Sequence, residues 1–389
     1  MSSLPEPGLA PPAAASTAAP AVPPSAAPAT PAAAPATPAA PLSALLERLL
    51  AGRHLDEEEA AQLLAALTTA DLAPALAGAL LVALRAKGVT ATELRGFARS
   101  MRALARRPQI DSTAGAVDIV GTGGDRSGSL NLSTGAALLA AACGLPVIKH
   151  GNRSISSRAG SADVLQALGL PMPLDEATAG RCFAACGFTF LFAPYYHGAT
   201  RHLAPVRAAL GVRTVFNILG PLSNPAAPPY LVVGAYELAT AGLMAEALVG
   251  SGVERAYVIH GAEGWDEPTP IGPFALFAVD RRGVRVERRS PADYGLAPCQ
   301  ARELTGADAA HNARELAAVL SGARSGAHRD ALLLGAALAL EVTGQESSPR
   351  AALARAARAI DSGAARELLD RLQRFGAQAL AAPSAQRVP

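Results

Sequence analysis

From Val117 onward, short β-type runs alternate with helical patterns, and this alternation limits the chain more than any other feature. "AVDIVG", "LPVIKHG", "FTFLFAP", "RTVFNILG", "YLVVGAY" and "RAYVIHG" read as strands. Helical segments Thr134–Cys143, Ala162–Leu168 and Ala239–Val249 lie between several of them. Such an order predicts an α/β fold whose sheet is largely parallel and covered by helices on both faces. "PFALFAVDRRGVRVERRS" then reads as a hairpin turning at Arg282-Gly283. Helical stretches around Asp308–Leu320, His328–Val342 and Pro349–Phe375 finish the chain.

What precedes Val117 is of two kinds. Residues 1–41 contain Ala, Pro, Ser and Thr with one charged side chain, Glu6, and 12 of the 31 prolines. That composition excludes a helix and predicts a disordered, partly polyproline tail. Residues 42–110 instead repeat leucine at helical spacing, and Thr90 with Glu93 has the spacing of a capping box. A small all-helical domain is expected there, completed by helices near 199–222, ahead of an α/β domain over 111–380.

Charge and cysteine usage exclude several classes of function. The 389 residues carry a net charge of +2 with acids and bases interspersed, which leaves no nucleic-acid footprint. Apolar runs are too short or too interrupted to span a bilayer, and no basic start precedes a long one. The four cysteines form no ligand-spaced set, and Cys182 and Cys186, one helical turn apart, read as core thiols. A cytoplasmic protein is the expectation.

Chemistry concentrates in three loops, each following an expected strand. "VDIVGTGGDRSGSLNLST" places Gly121, Gly123, Gly124 and Gly128 within eight residues and then a helix start. Bare backbone before a helix N-terminus is an anion site, with Asn131, Ser133 and Thr134 as further donors. A tight turn before a capped helix would use the same residues, and neither the dinucleotide nor the P-loop pattern is matched. "KHGNRSISSRAGSADVL" adds Lys149, His150, Asn152, Arg153, Ser156, Ser157, Arg158 and Ser161 around Gly151 and Gly160. Two donor-rich loops at the carboxyl ends of strands imply two phosphate groups or one polyphosphate. In the third, "GWDE", Asp266 and Glu267 are adjacent. Alone they fit a solvated turn; beside a polyphosphate they fit magnesium.

"GTGGD", "NLST", "KHGNR", "SSRAGSAD", "APVRAALGVRTVFNILGPLSNP" and "DE" together resemble the anthranilate phosphoribosyltransferases of tryptophan biosynthesis, in family order across about residues 42–375. The resemblance implies a small helical domain joined to an α/β domain of the nucleoside phosphorylase/phosphoribosyltransferase type. It places the active site at the hinge between them, usually in a homodimer. It further implies transfer of phosphoribose from phosphoribosyl pyrophosphate to the amine of anthranilate, the second step from chorismate to tryptophan, with one or two magnesium ions. Carried over by motif, donor contacts fall on Gly121, Gly124, Asp125, Ser129, Asn131, Leu132, Ser133 and Thr134. They continue through Lys149, His150, Gly151, Asn152, Arg153, Ser154, Ile155, Ser156 and Ser157 to Ser161. Anthranilate contacts fall on Gly121, Asn152 and Arg207, and magnesium ligands on Ser133, Asp266 and Glu267.

No residue reads as a strong general base; His150 is the nearest titratable candidate, or else shapes its loop. His197 and His202 read as lining or packing the domain junction. Departures from the family pattern are Leu130 for Phe, Gly198 for Pro, Pro268 and Thr269 for an aliphatic and Ser, and Gly335 for Asn. None removes a charged or phosphate-binding group, so they bear on the acceptor pocket. Competing readings are a paralogue using another aromatic amine, a pyrimidine-nucleoside phosphorylase-like enzyme, and a non-catalytic nucleic-acid-binding paralogue.

Overall fold

Seven short strands form one sheet in the computed structural model, which describes Met1, residues 41–153 and residues 159–381. β1 (Val117–Gly121), β2 (Val147–Gly151), β3 (Phe188–Phe192), β4 (Tyr230–Gly234) and β5 (Arg255–His260) run parallel. β6 (Phe274–Asp280) and β7 (Gly283–Arg289) complete an antiparallel edge, giving the order β3-β2-β1-β4-β5-β6-β7. The chain thus leaves β1 toward one edge and returns to β4 to build the other. Between β1 and β4 the connections diverge, and there an open α/β sheet forms a crevice at its carboxyl ends.

Both faces of the parallel strands are buried because successive strand residues enter different cores. Val232 packs with Val117, Ile119 and Ile259 in one apolar cluster, while its neighbours Leu231 and Val233 join Ala256 and Val258 in another. Helices α1 (Leu42–Leu50), α2 (Glu57–Leu67), α3 (Pro74–Lys87) and α4 (Ala91–Leu104) belong to the second cluster. In α4 the expected capping box forms, with Thr90 Oγ1 accepting from Glu93 N at 3.2 Å. The first cluster holds α5 (Leu132–Ala142), α6 (Ser161–Ala167) and α7 (Glu176–Cys186), where Cys182 and Cys186 are buried free thiols.

Short helices α8 (Ala193–Tyr196), α9 (Leu203–Leu210) and α10 (Phe216–Leu219) follow β3, and α11 (Leu238–Leu248) follows β4. Leu203 of α9 and Ile218 and Leu219 of α10 sit in the cluster of α1–α4. The run "RTVFNILG", expected as a strand, is this α10 turn. Thr214 N donates to Asn217 Oδ1 at 2.9 Å and Leu219 N to Val215 O at 3.1 Å, closing a helical turn. A short apolar run has no periodicity to separate strand from buried helix.

At the carboxyl end stand α12 (Ala309–Leu320), α13 (Ala327–Val342), α14 (Pro349–Asp361) and α15 (Ala364–Ala381). The single helix expected over Pro349–Phe375 is broken at Gly363, whose φ of +86° is left-handed and ends α14. The hairpin turns one residue earlier than expected, since Asp280 pairs with Gly283. The expected tail falls almost wholly outside the described residues. None of the described helices is long and apolar enough to cross a membrane.

Candidate active site

Strand register builds a notch at the point where the connections diverge. Gly121 ends β1 directly opposite Gly234, which ends β4. A Cβ on Gly234 would lie 1.5 Å from the carbonyl oxygen of Asp266, and one on Gly121 would lie 2.3 Å from Asp266 Oδ2. Only two facing glycines admit the acidic turn that follows β5. Once seated, Asp266 Oδ2 accepts from Gly123 N at 2.5 Å and Glu267 Oε1 accepts from Ser133 N at 2.9 Å. Asp266 N lies 3.4 Å from Asp125 Oδ2. The carboxylates therefore reach both the glycine loop and the first turn of α5. The amides of Gly123 and Ser133 are engaged by them, whereas Gly124 and Asp125 have no backbone N–H partner among the described residues.

Crowding and burial set the charge balance here. Asp266 is pushed up to about 7, chiefly by burial and then by the Asp125 carboxylate. Glu267 is raised well above the usual range by burial and then by Asp266, and its Oε2 has no partner among the described residues. Lys149, 1% exposed, enters from β2, donating to Ile119 O and lying 3.3 Å from Ser133 Oγ. Burial pulls its ammonium down while Asp118, Glu267 and Asp266 hold it up. Three loops thus converge on one centre that sets two carboxylates, an ammonium and loop amides side by side.

Beyond Lys149 the β2 loop divides. His150 is buried, its Nδ1 lies 3.2 Å from Gly220 O, and its ring meets His197 edge-on at 5.1 Å. Burial drives the two imidazoles down to about 3 and about 4, and Nε2 of each has no partner among the described residues. Asn152 is exposed, and Gly151 runs so close to Phe190 that a Cβ would come within 3.0 Å of the ring. Arg153 turns away to α6, pairing with Asp163 and with Gln166 Oε1 at 3.0 Å. Ser154, Ile155, Ser156 and Ser157 lie outside the described residues. Ser161 opens α6, Leu132 and Thr134 are buried in α5, and Asn131 Nδ2 holds Ala159 O at 3.0 Å. Ser129 accepts at Oγ from Ser127 and bridges to Thr305, fixing the loop's exit.

Arg207 stands on α9, half-buried, over the ring of Phe216 at 5.2 Å. Burial lowers its pKa with no acid opposing it, and no carboxylate pairs with it among the described residues. The α10 turn joins it to the histidines: Phe216 lies under Arg207, and Gly220 O meets His150.

Residues 43–105 match the model of the glycosyl transferase family's helical bundle domain, and residues 113–366 that of its a/b domain. An anthranilate phosphoribosyltransferase of Methylobacterium nodulans is 45% identical over 327 residues, 84% of this chain and 96% of its own length. The chain belongs to the anthranilate phosphoribosyltransferase family. The crystal structure of anthranilate phosphoribosyltransferase from Thermus thermophilus superposes with a TM-score of 0.81 at 41% identity, covering 85% of this chain and 99% of that one. The Saccharomyces cerevisiae anthranilate phosphoribosyltransferase in complex with PRPP and Mg gives 0.80 at 25% identity, covering 87% and 98%.

One departure from the anthranilate phosphoribosyltransferase pattern has a packing reason. Gly335 on α13 faces Ala136 on α5, where a Cβ would come within 2.7 Å of the alanine methyl, so the helices close together. With Pro268, Val120 and Ser133 it lines a small cavity behind the acidic turn. Leu130 is buried in the core, and Gly198 has open space around it.

Sequence reasoning missed Asp118, Asn224 and Gly234. Asp118 is fully buried in β1 and accepts from His150 N at 3.2 Å and from Asn224 Nδ2 at 2.9 Å. Asn224 Nδ2 also donates to Ile148 O at 2.8 Å, so the pair ties the β2 loop to the "GPLSNP" segment. An acid inside a strand buried on both faces was the available signal, since such residues are rarely buried without a partner.

Proposed function

We infer that the protein transfers the 5-phosphoribosyl group of phosphoribosyl pyrophosphate to the amine of anthranilate, giving N-(5-phosphoribosyl)anthranilate and pyrophosphate. The observation that carries this reading is the seating of the acidic turn in the Gly121–Gly234 notch, in a chain 45% identical to a member of the family. We assign donor contacts to the loops after β1 and β2 and to the first turn of α5. Acceptor contacts fall on Gly121, Asn152 and Arg207. The proposal includes a homodimer, a cytoplasmic setting and a helical unit over 42–110 that α9 and α10 complete.

The reaction breaks the ribose C1–O bond to the diphosphate and forms a C1–N bond, and the proton that the amine gives up leaves with the diphosphate or to water. Positive charge builds on the sugar and negative charge on the leaving group. Lys149 and the unengaged amides of Gly124 and Asp125 are donors for that negative charge, already oriented before reaction. Arg207 supplies a planar fork that matches a carboxylate bidentately. His150 faces Gly220 O through Nδ1, so the proton sits there and Nε2 presents a lone pair. At about 3, that imidazole accepts a hydrogen bond without retaining a proton at neutral pH. An aromatic amine is already uncharged and needs no strong base.

The acidic turn suits magnesium. Glu267 keeps a buried oxygen without a protein partner, and burial holds both carboxyls above their usual range. No three His, Cys, Asp or Glu side chains converge on a metal position among the described residues. That fits an ion that takes one or two carboxylates and completes its shell with diphosphate oxygens and water. Asp266, Glu267 and Ser133 would hold it, as one ion or two. When bound, it neutralises charge on the departing diphosphate.

Purified protein with phosphoribosyl pyrophosphate, magnesium and a panel of aromatic amines tests the reading. Anthranilate fluorescence is expected to fall only when all components are present. Preference for another amine, or nucleoside phosphorolysis without pyrophosphate, would overturn it.

A further inference from the structure

Three successive residues of the glycine loop are tied to three different elements. Thr122 N donates to Gly234 O at 3.0 Å and Gly123 N to Asp266 Oδ2 at 2.5 Å. The carbonyl of Gly124 accepts from Arg213 Nη2 at 2.6 Å, and Arg213 lies between α9 and α10. Nη2 packs so closely that a Cβ on Gly124 would come within 3.1 Å of it. The guanidinium is itself held, 3.7 Å from the centre of the Tyr236 ring and 3.9 Å from Glu237 Oε1. Its backbone carbonyl accepts from Arg85 of α3.

In a trans peptide the C=O and N–H point in opposite directions. Fixing the Gly124 carbonyl on Arg213 therefore turns the Asp125 N–H the other way. Gly124 has φ +82°, where glycine meets no steric penalty and the flanking peptide plane is free to rotate. Without a partner, that plane could turn its carbonyl oxygen toward an incoming anion.

We propose that Arg213 is a positioning residue for the phosphoribosyl donor: it locks the Gly124–Asp125 peptide with its N–H toward the diphosphate-bearing substrate. Through Arg85 it also links that peptide to the helical bundle. The proposal rests on the function inferred above, and it assigns Arg213 no contact with either substrate.

Calorimetry with phosphoribosyl pyrophosphate and magnesium, alongside steady-state kinetics, tests it on Arg213→Ala. Arg213 is 39% exposed and outside both cores, so the variant should fold. Donor Kd and KM are expected to rise about tenfold, as when one charge-assisted hydrogen bond is lost. The anthranilate KM and the melting temperature should stay near wild type. Added ethylguanidinium should restore part of the donor affinity, which a general packing defect would not allow. Unchanged donor affinity in folded Arg213→Ala would overturn the proposal. So would a loss that ethylguanidinium leaves untouched and a lower melting temperature accompanies. If wild type binds the donor but consumes no anthranilate, the functional reading fails while the calorimetric dependence on Arg213 still decides this one.

Discussion

Gly121 and Gly234 face each other at the ends of two parallel strands, and Asp266 fills the space that both leave. Gly234→Ala should therefore push the acidic turn away from Gly123 and Ser133. A loss of about 1–3 kcal/mol in unfolding free energy is expected, as for other insertions into packed sites, with a larger proportional loss of turnover. Gly242→Ala is the control, because its Cβ would meet Phe277 only at an ordinary 3.6 Å. Equal behaviour of the two variants in denaturant titration and kinetics would refute the notch.

Replacing Asp266 by Asn and Glu267 by Gln together keeps both shapes and removes two crowded charges. Turnover should fall by a factor on the order of 100 or more, as when a transition-state electrostatic contact is lost. Melting temperature without magnesium should hold or rise, since burial already drives both carboxyls toward their neutral forms. Normal turnover at limiting magnesium would show that the turn holds no metal.

Arg207→Ala tests the acceptor side. Its guanidinium has no acid partner among the described residues and rests on Phe216, leaving its fork edge for a ligand carboxylate. The anthranilate KM should rise about tenfold or more, the effect of a lost charge-assisted hydrogen bond, with the donor KM nearly constant. A rise confined to the donor KM would move Arg207 to the phosphate site.

His197 makes stability depend on pH. Its folded-state pKa is about 4 against an ordinary 6.5, so the fold favours the neutral ring. That stabilisation is complete above pH 6.5 and is lost as pH falls toward 4. By pH 5 the loss should be about 2 kcal/mol at 1.36 kcal/mol per unit. His150 adds a term of the same sign. Urea unfolding at pH 7 and 5 should therefore show a shallower pH dependence for His197→Gln than for wild type. Parallel slopes would mean that His197 titrates normally in the folded protein.

Four of the strands and the three loops were legible because each run is short, β-branched or apolar, and closed by a glycine: Gly121, Gly151, Gly234 or Gly261. Asp266 and Glu267 could be tied to the glycine loop only through the family resemblance, since their pairing spans 134 residues between Ser133 and Glu267. "RTVFNILG" misled because its aromatic and β-branched residues suit a strand, while the Asn217 side chain bonds back to Thr214 N and starts a turn. Arg153 reads as a phosphate donor by type, and the competing claim of Asp163 and Gln166 on the next helix is not visible in the sequence. Competition of that kind depends on tertiary placement, which spacing along the chain does not encode.

The sheet face that carries Leu231, Val233, Ala256 and Val258 is covered by the same apolar cluster that contains Leu63, Leu80 and Phe97 of the bundle. The described residues from 41 to 381 belong to one compact unit. The boundary near residues 105–113, which separates the two family segments, is therefore not a boundary in energetics. Cutting there would strand a water-exposed apolar face on each fragment. Heat should melt bundle and sheet in a single cooperative step, and neither half should be transplantable as an independent cassette.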